Sequence, residues 1–192
     1  MKKLKNTLFE TPSQTAGPFL HIGCTPNLFG IRDVFDKDLP NQPFEKINKE
    51  DLITISGKIF DGENKPLLDV MIETWQCDQN GIFNKEKGFS RIIPDINTGL
   101  FRLITLKPGF SKNINDKFQS PYILFWIVAR GMNQPLITRM YFEDEELEKD
   151  NLFRLVKNKK RIHTLLAKKN NEKEYEFNIY LQGEDETIFF DF

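Results

Sequence analysis

In Asp51-Leu-Ile-Thr-Ile-Ser-Gly-Lys-Ile-Phe-Asp-Gly62, the residues Ile53, Ile55, Gly57 and Ile59 alternate with Thr54, Ser56 and Lys58. A period of two gives a strand one buried face, and Asp61-Gly62 is a tight-turn dipeptide that ends it. The same grammar repeats outward along the chain. Val70 to Cys77 reads as a strand that stops at Asn80-Gly81, with Met71, Glu73, Trp75 and Cys77 on one face. Leu100 to Leu106 is entered through Thr98-Gly99 and closed by Pro108-Gly109. Tyr122 to Ala129 shows no alternation, as for a central strand covered on both faces. Leu136 to Phe142, Glu174 to Gln182 and Glu186 to Phe192 bring the series to about seven strands. Their connections are mostly too short for crossover helices, which predicts an all-β sandwich with short helical excursions. Asp144 to Val156 is the best helix candidate, acidic early and followed by Lys157, Lys159 and Lys160, while Arg161 to Lys169 fits either strand or helix.

The first 50 residues differ. Pro12, Pro18, Pro26, Pro40 and Pro43 break them up and no period persists, so residues 1–50 read as an extended arm and 51–192 as the sandwich domain. Phe19, Leu20, Ile22, Leu28 and Phe29 favour an arm laid against another surface. The 18 Phe residues point the same way, towards a partner interface.

Composition excludes several classes. With 27 Lys+Arg against 28 Asp+Glu there is no basic field for nucleic acid. The apolar run Ile123 to Ala129 falls far short of the roughly 20 residues a membrane span needs, and no apolar h-region follows the lysines of Met1 to Glu10. A cytoplasmic protein is expected. Cys24 and Cys77 lie in no metal-site or redox spacing and read as plain thiols. Neither GxGxxG nor GxxxxGK[ST] occurs, which leaves nucleotide binding without support.

The residues that could carry chemistry are few. His21 lies in the arm and His163 in a basic, solvated segment, and neither is placed beside a nucleophile. No pair of metal ligands stands at i, i+2 on a strand, and Tyr122, Tyr141, Tyr175 and Tyr180 read as half-buried strand aromatics. Arg130 emerges where a buried strand turns at Gly131; by pattern alone a surface ion pair is its simplest role. Thr11-Pro-Ser-Gln-Thr-Ala-Gly-Pro18 is a stiff turn that would let backbone approach a ligand closely.

Taken together, Thr11 to Gly23, Glu73-Thr-Trp-Gln-Cys-Asp-Gln-Asn-Gly81, Lys107-Pro-Gly109, Ala129-Arg-Gly131, Thr138-Arg-Met-Tyr-Phe142 and Gln182 to Phe192 resemble the intradiol ring-cleaving dioxygenases. The arm and C-terminal pieces are similar to the alpha chains of that family's heteromeric branch. The resemblance implies oxidative cleavage of protocatechuate to 3-carboxy-cis,cis-muconate at a non-haem Fe(3+) held by two tyrosines and two histidines of a beta chain. It also implies hetero-oligomers of alpha-beta pairs, with the active site between the two chains. On this resemblance Tyr122 and Leu124 stand at the two histidine positions, Ser111 at a tyrosine position and Gln119 at that of an arginine. This chain would then hold no metal and supply no catalytic residue. Thr15, Gly17 and Pro18 would line the substrate cavity, and Arg130 would face the substrate carboxylate. Two other readings stay open: a sandwich module that only binds a partner or ligand, which the missing iron ligands fit equally well, and, ranked last, a stand-alone iron enzyme using Tyr122 or Tyr141.

Overall fold

The computed structural model describes residues 15–17, 19–39, 42–44, 47–113 and 115–191, leaving aside the side chain of His21. Twelve strands carry the fold. They are β1 (Leu52–Gly57), β2 (Ile59–Phe60), β3 (Val70–Trp75), β4 (Phe89–Ile92), β5 (Phe101–Leu106), β6 (Ser111–Lys112), β7 (Phe118–Gln119), β8 (Tyr122–Ala129), β9 (Leu136–Phe142), β10 (Leu166–Lys169), β11 (Glu174–Glu176) and β12 (Ile179–Tyr180). Eight of them form one sheet in the order β4-β3-β8-β9-β10-β11-β1-β5, with β12 beside β2 and β6 beside β7 as two-stranded ribbons.

The large sheet curls until its two ends face each other. Phe101 of β5 meets Phe125 of β8 with ring centroids 6.0 Å apart, and Phe125 also packs on Phe177 at 5.3 Å. One apolar cluster therefore joins Ile55, Leu103 and Tyr175 from one half to Ile72, Ile127 and Met140 from the other. The expected sandwich is present, its two layers being halves of a single near-barrel sheet. As expected, β8 is internal, paired to β3 and β9 on either side.

Elsewhere the structure departs from the pattern. The expected strand through Ile59 is interrupted at Lys58, and the one from Glu174 to Gln182 at Phe177 and Asn178. Both breaks lie side by side, where the Lys58 amide donates to the Asn178 side chain at 2.9 Å. Gly57 is required there: a Cβ would sit 1.9 Å from the Phe177 carbonyl oxygen. The stretch Glu186–Asp191 is no ladder strand. It crosses the end of the sheet through single contacts, Thr187 to the Tyr180 carbonyl and Phe190 to that of Ile137. The β3 ladder ends at Trp75, so Cys77 lies beyond it, and β4 carried no legible signal.

The candidate helix Asp144 to Val156 contracts to Asn151–Leu155, α2, following the short α1 (Leu20–Cys24). Asp144 is drawn instead to the sheet end, where it pairs with Lys107 at 3.2 Å and Lys169 at 2.8 Å. The helix begins only at Asp150, whose carboxylate accepts from the Phe153 amide at 2.8 Å as an N-cap. Lys159–Leu165 forms a 3-10 turn that leads into β10, so the ambiguous segment is both. Among the described residues no helix is long and apolar enough to cross a membrane.

Candidate functional site

Two places gather polar side chains on the outer surface of the β3-β8-β9 half. The first is the end of β8. The chain leaves the core at Ala129 and turns at Gly131, whose φ of +91° lies in the region glycine adopts without strain. Arg130, ahead of that turn, is 63% exposed at its side chain, and its Nε forms an ion pair with Asp69 at 3.0 Å. The arm reaches the same turn. The Thr15 hydroxyl donates to Asn133 Oδ1 at 3.1 Å, and the Ala16 amide to the Met132 carbonyl at 3.2 Å. Next to these, space around Gly17 is open, with no atom within 4 Å of where a Cβ would stand. Thr15, Gly17 and Arg130 are thus brought to one corner from opposite parts of the sequence, and Pro18 lies outside the described residues. The surface ion pair read from pattern is present, yet most of the guanidinium remains open to a ligand.

Farther along, Arg91 secures the arm to the sheet. Its Nε and Nη2 donate to Glu73 at 2.8 and 2.6 Å, while Nη1 donates to the Cys24 carbonyl of α1 at 3.1 Å.

The second place lies where the resemblance sets metal ligands. Register places Tyr122 opposite Tyr141 and Leu124 opposite Arg139, all on the face turned away from the main core. At the centre lies Arg139, 8% exposed, with its guanidinium 3.8 Å from the centroid of the Tyr122 ring. In the amide orientation that satisfies both partners, the Gln119 oxygen accepts from both terminal nitrogens at 3.0 Å. Tyr141 donates to the buried Asp150 at 3.2 Å. Burial raises the pKa of both phenols; the Arg139 charge opposes it at Tyr122, and Asp150 adds to it at Tyr141. Both rings are therefore neutral at physiological pH. Cys77 is pushed up to about 11, chiefly by burial, so its thiol is protonated and donates to the Gly109 carbonyl at 3.5 Å.

Of the remaining candidates, His163 is exposed and its Nδ1 lies 2.9 Å from the Lys160 carbonyl. Tyr175 and Tyr180 sit in strands, the former bonded to Asp144 and the latter stacked on Phe60 at 4.9 Å. Among the described residues no group of three His, Cys, Asp or Glu side chains converges as a metal site. Sequence reading missed Asp69, Asn133 and Arg139. The first two are connected to the site only by register and by the fold of the arm, but a charge inside the apolar Leu136–Phe142 run was a visible anomaly.

Comparison with known proteins agrees with this architecture. A family model described as "Dioxygenase" matches residues 26–183. The chain is 35% identical to a protocatechuate 3,4-dioxygenase alpha chain of Pseudomonas putida, covering 95% of this chain and 96% of the relative. It is 25% identical to a protocatechuate 3,4-dioxygenase beta chain of Burkholderia cepacia, covering 83% and 78%. Among solved structures, the dioxygenase domain of a dioxygenase and carbohydrate-binding protein fusion from Streptomyces sp. SirexAA-E superposes with a TM-score of 0.57 at 20% identity, covering 89% of this chain and 98% of that one.

Proposed function

This chain belongs to the intradiol ring-cleaving dioxygenase family, and from that membership we propose that it serves as the alpha subunit of a heteromeric protocatechuate 3,4-dioxygenase, partnered by a beta chain. One observation carries the reading: similarity to an alpha chain over almost the entire length of both proteins. The sandwich supports partner binding, and the compartment we assign is the cytoplasm.

The iron belongs to the partner in this reading. The residues at the corresponding place in this chain do not fit a ferric ion: a guanidinium already fills the centre, flanked by an amide, two neutral phenols and the apolar Leu124. A guanidinium, an amide and an aliphatic side chain offer a ferric ion no anionic or imidazole donor. We therefore assign this chain no metal ligand and no catalytic residue.

Its contribution is enclosure and orientation. Thr15, Gly17 and Pro18 supply a stiff lip, with Gly17 leaving room for a flat ring to approach the backbone. Arg130 is the charge that recognises the ring carboxylate, which favours protocatechuate over a catechol without one. Holding the ring at a fixed angle converts binding into rate by proximity.

Co-expression with a beta chain tests the proposal. The pair should purify as a burgundy complex with ring-cleaving activity, while this chain alone binds no stoichiometric iron. In the complex, Arg130→Ala should weaken protocatechuate turnover by about 1.5 to 3 kcal/mol in kcat/KM, the range of hydrogen bonds to charged groups. A chain that never co-purifies with a beta chain would favour the binding-module reading instead.

A further inference from the structure

The antiparallel ladder between β3 and β8 ends at the pair Val70 and Ala129, so the next residues on the two strands are Asp69 and Arg130. Register alone thus sets a carboxylate opposite the guanidinium, and the contact is made at one edge, Nε to Oδ2 at 3.0 Å. Among the described residues Nη1 and Nη2 have no partner. Asp69 is itself 31% exposed at its side chain, held by its place at the start of a core strand.

We propose that Asp69 is a positioning residue for specificity: by clasping Nε it fixes the plane of the Arg130 guanidinium and leaves the Nη1/Nη2 edge to take a carboxylate in the fork geometry. The inference rests on the reading of Arg130 as the group that meets the substrate carboxylate. An arginine free at all five donors rotates about its long stem and accepts any anion from any side. An ion pair on the Nε side restricts that rotation. It also partly neutralises the charge, so a small spherical anion gains little while a planar carboxylate still finds two parallel donors. The arm contributes the opposite wall, since Thr15 and Ala16 are bonded to Asn133 and Met132 just past Arg130. A ring bearing one carboxylate would lie between wall and fork.

The test uses the assembled alpha-beta enzyme with protocatechuate and with catechol, which lacks the carboxylate. Asp69→Ala should raise KM for protocatechuate about fivefold, the factor to which an exposed ion pair at the top of its usual worth converts, with kcat unchanged. Catechol kinetics should stay unchanged, so the preference between the two substrates falls. Asp69→Glu should restore part of it, because a carboxylate again reaches Nε. A purely structural role for Asp69 would lower both substrates together; that result, an unchanged preference, or a lower KM for protocatechuate from the freed Arg130 charge overturns the inference. Arg130→Ala separates the two levels. If it moves the preference and Asp69→Ala does not, only the role of Asp69 falls; if neither moves it, the reading of Arg130 falls as well.

Discussion

At Arg139 a full positive charge is buried in a sheet face, a place where desolvation normally forbids it. It persists because the Tyr122 ring offers its negative face and Gln119 accepts from both terminal nitrogens. Arg139→Met should therefore cost about 2 to 3 kcal/mol of stability, read as a lower urea midpoint at unchanged slope. A midpoint that does not move would mean the charge is merely tolerated. The same side chain bears on metal binding. Restoring two imidazoles with Tyr122→His and Leu124→His should leave the isolated chain without stoichiometric iron, because Arg139 occupies the centre and Ser111 offers no phenolate, and elemental analysis of the purified variant decides the point. None of this could be read from Thr138-Arg-Met-Tyr-Phe142 by itself, because the groups that solvate the Arg139 charge are Gln119 of β7 and Tyr122 of β8, neither of which is its ladder partner.

The elements show where local signals suffice and where they fail. Ile53 to Gly57 alternates and forms β1, with Ile53 and Ile55 inside; Tyr122 to Ala129 is continuously apolar and is the internal strand. Both depend on burial, which the period records directly. Asp144 to Val156 misled, because its acidic start is what a helix N-terminus and an ionic network both need. Asp144 entered the network, bonded to Lys107, Lys169 and the Tyr175 hydroxyl. Burial pushes its pKa up, but the hydrogen bonds from Lys169 and Lys107 outweigh this and hold the carboxyl below the usual range. A depressed carboxyl stabilises the fold fully above the unfolded value and loses that contribution as pH falls through the folded one. Urea unfolding between about pH 6 and pH 3 should thus show the native protein losing stability more steeply than Asp144→Asn, which starts lower at neutral pH. Parallel slopes would remove Asp144 from the acid response. As for the site, Arg130 was legible as a charge at a strand end and the arm as a segment with no period of its own. Their meeting was not, since it depends on a contact between Thr15 and Asn133 that no local pattern encodes.

For the whole molecule, half of the large apolar side chains exposed among the described residues lie in the arm, which is the smaller part of the chain. Phe19 is 77% exposed and Leu28 61%, with Val34, Phe35, Ile31 and Leu39 also outside. Such a surface binds water poorly and is the mark of a face meant to be covered. The chain in isolation should bind an apolar dye such as anilinonaphthalene sulfonate, and titration with a beta chain should abolish the fluorescence at one-to-one stoichiometry. Fluorescence that persists in the complex would place the interface elsewhere.

The arm is fastened on both sides of α1 before any partner arrives, by Arg91 to the Cys24 carbonyl and by Thr15 and Ala16 to Asn133 and Met132. Between those fastenings α1 has little conformational entropy left to lose on docking. Encounter should then resemble the meeting of two rigid bodies, with a rate that climbs in proportion to subunit concentration and no slow unimolecular plateau.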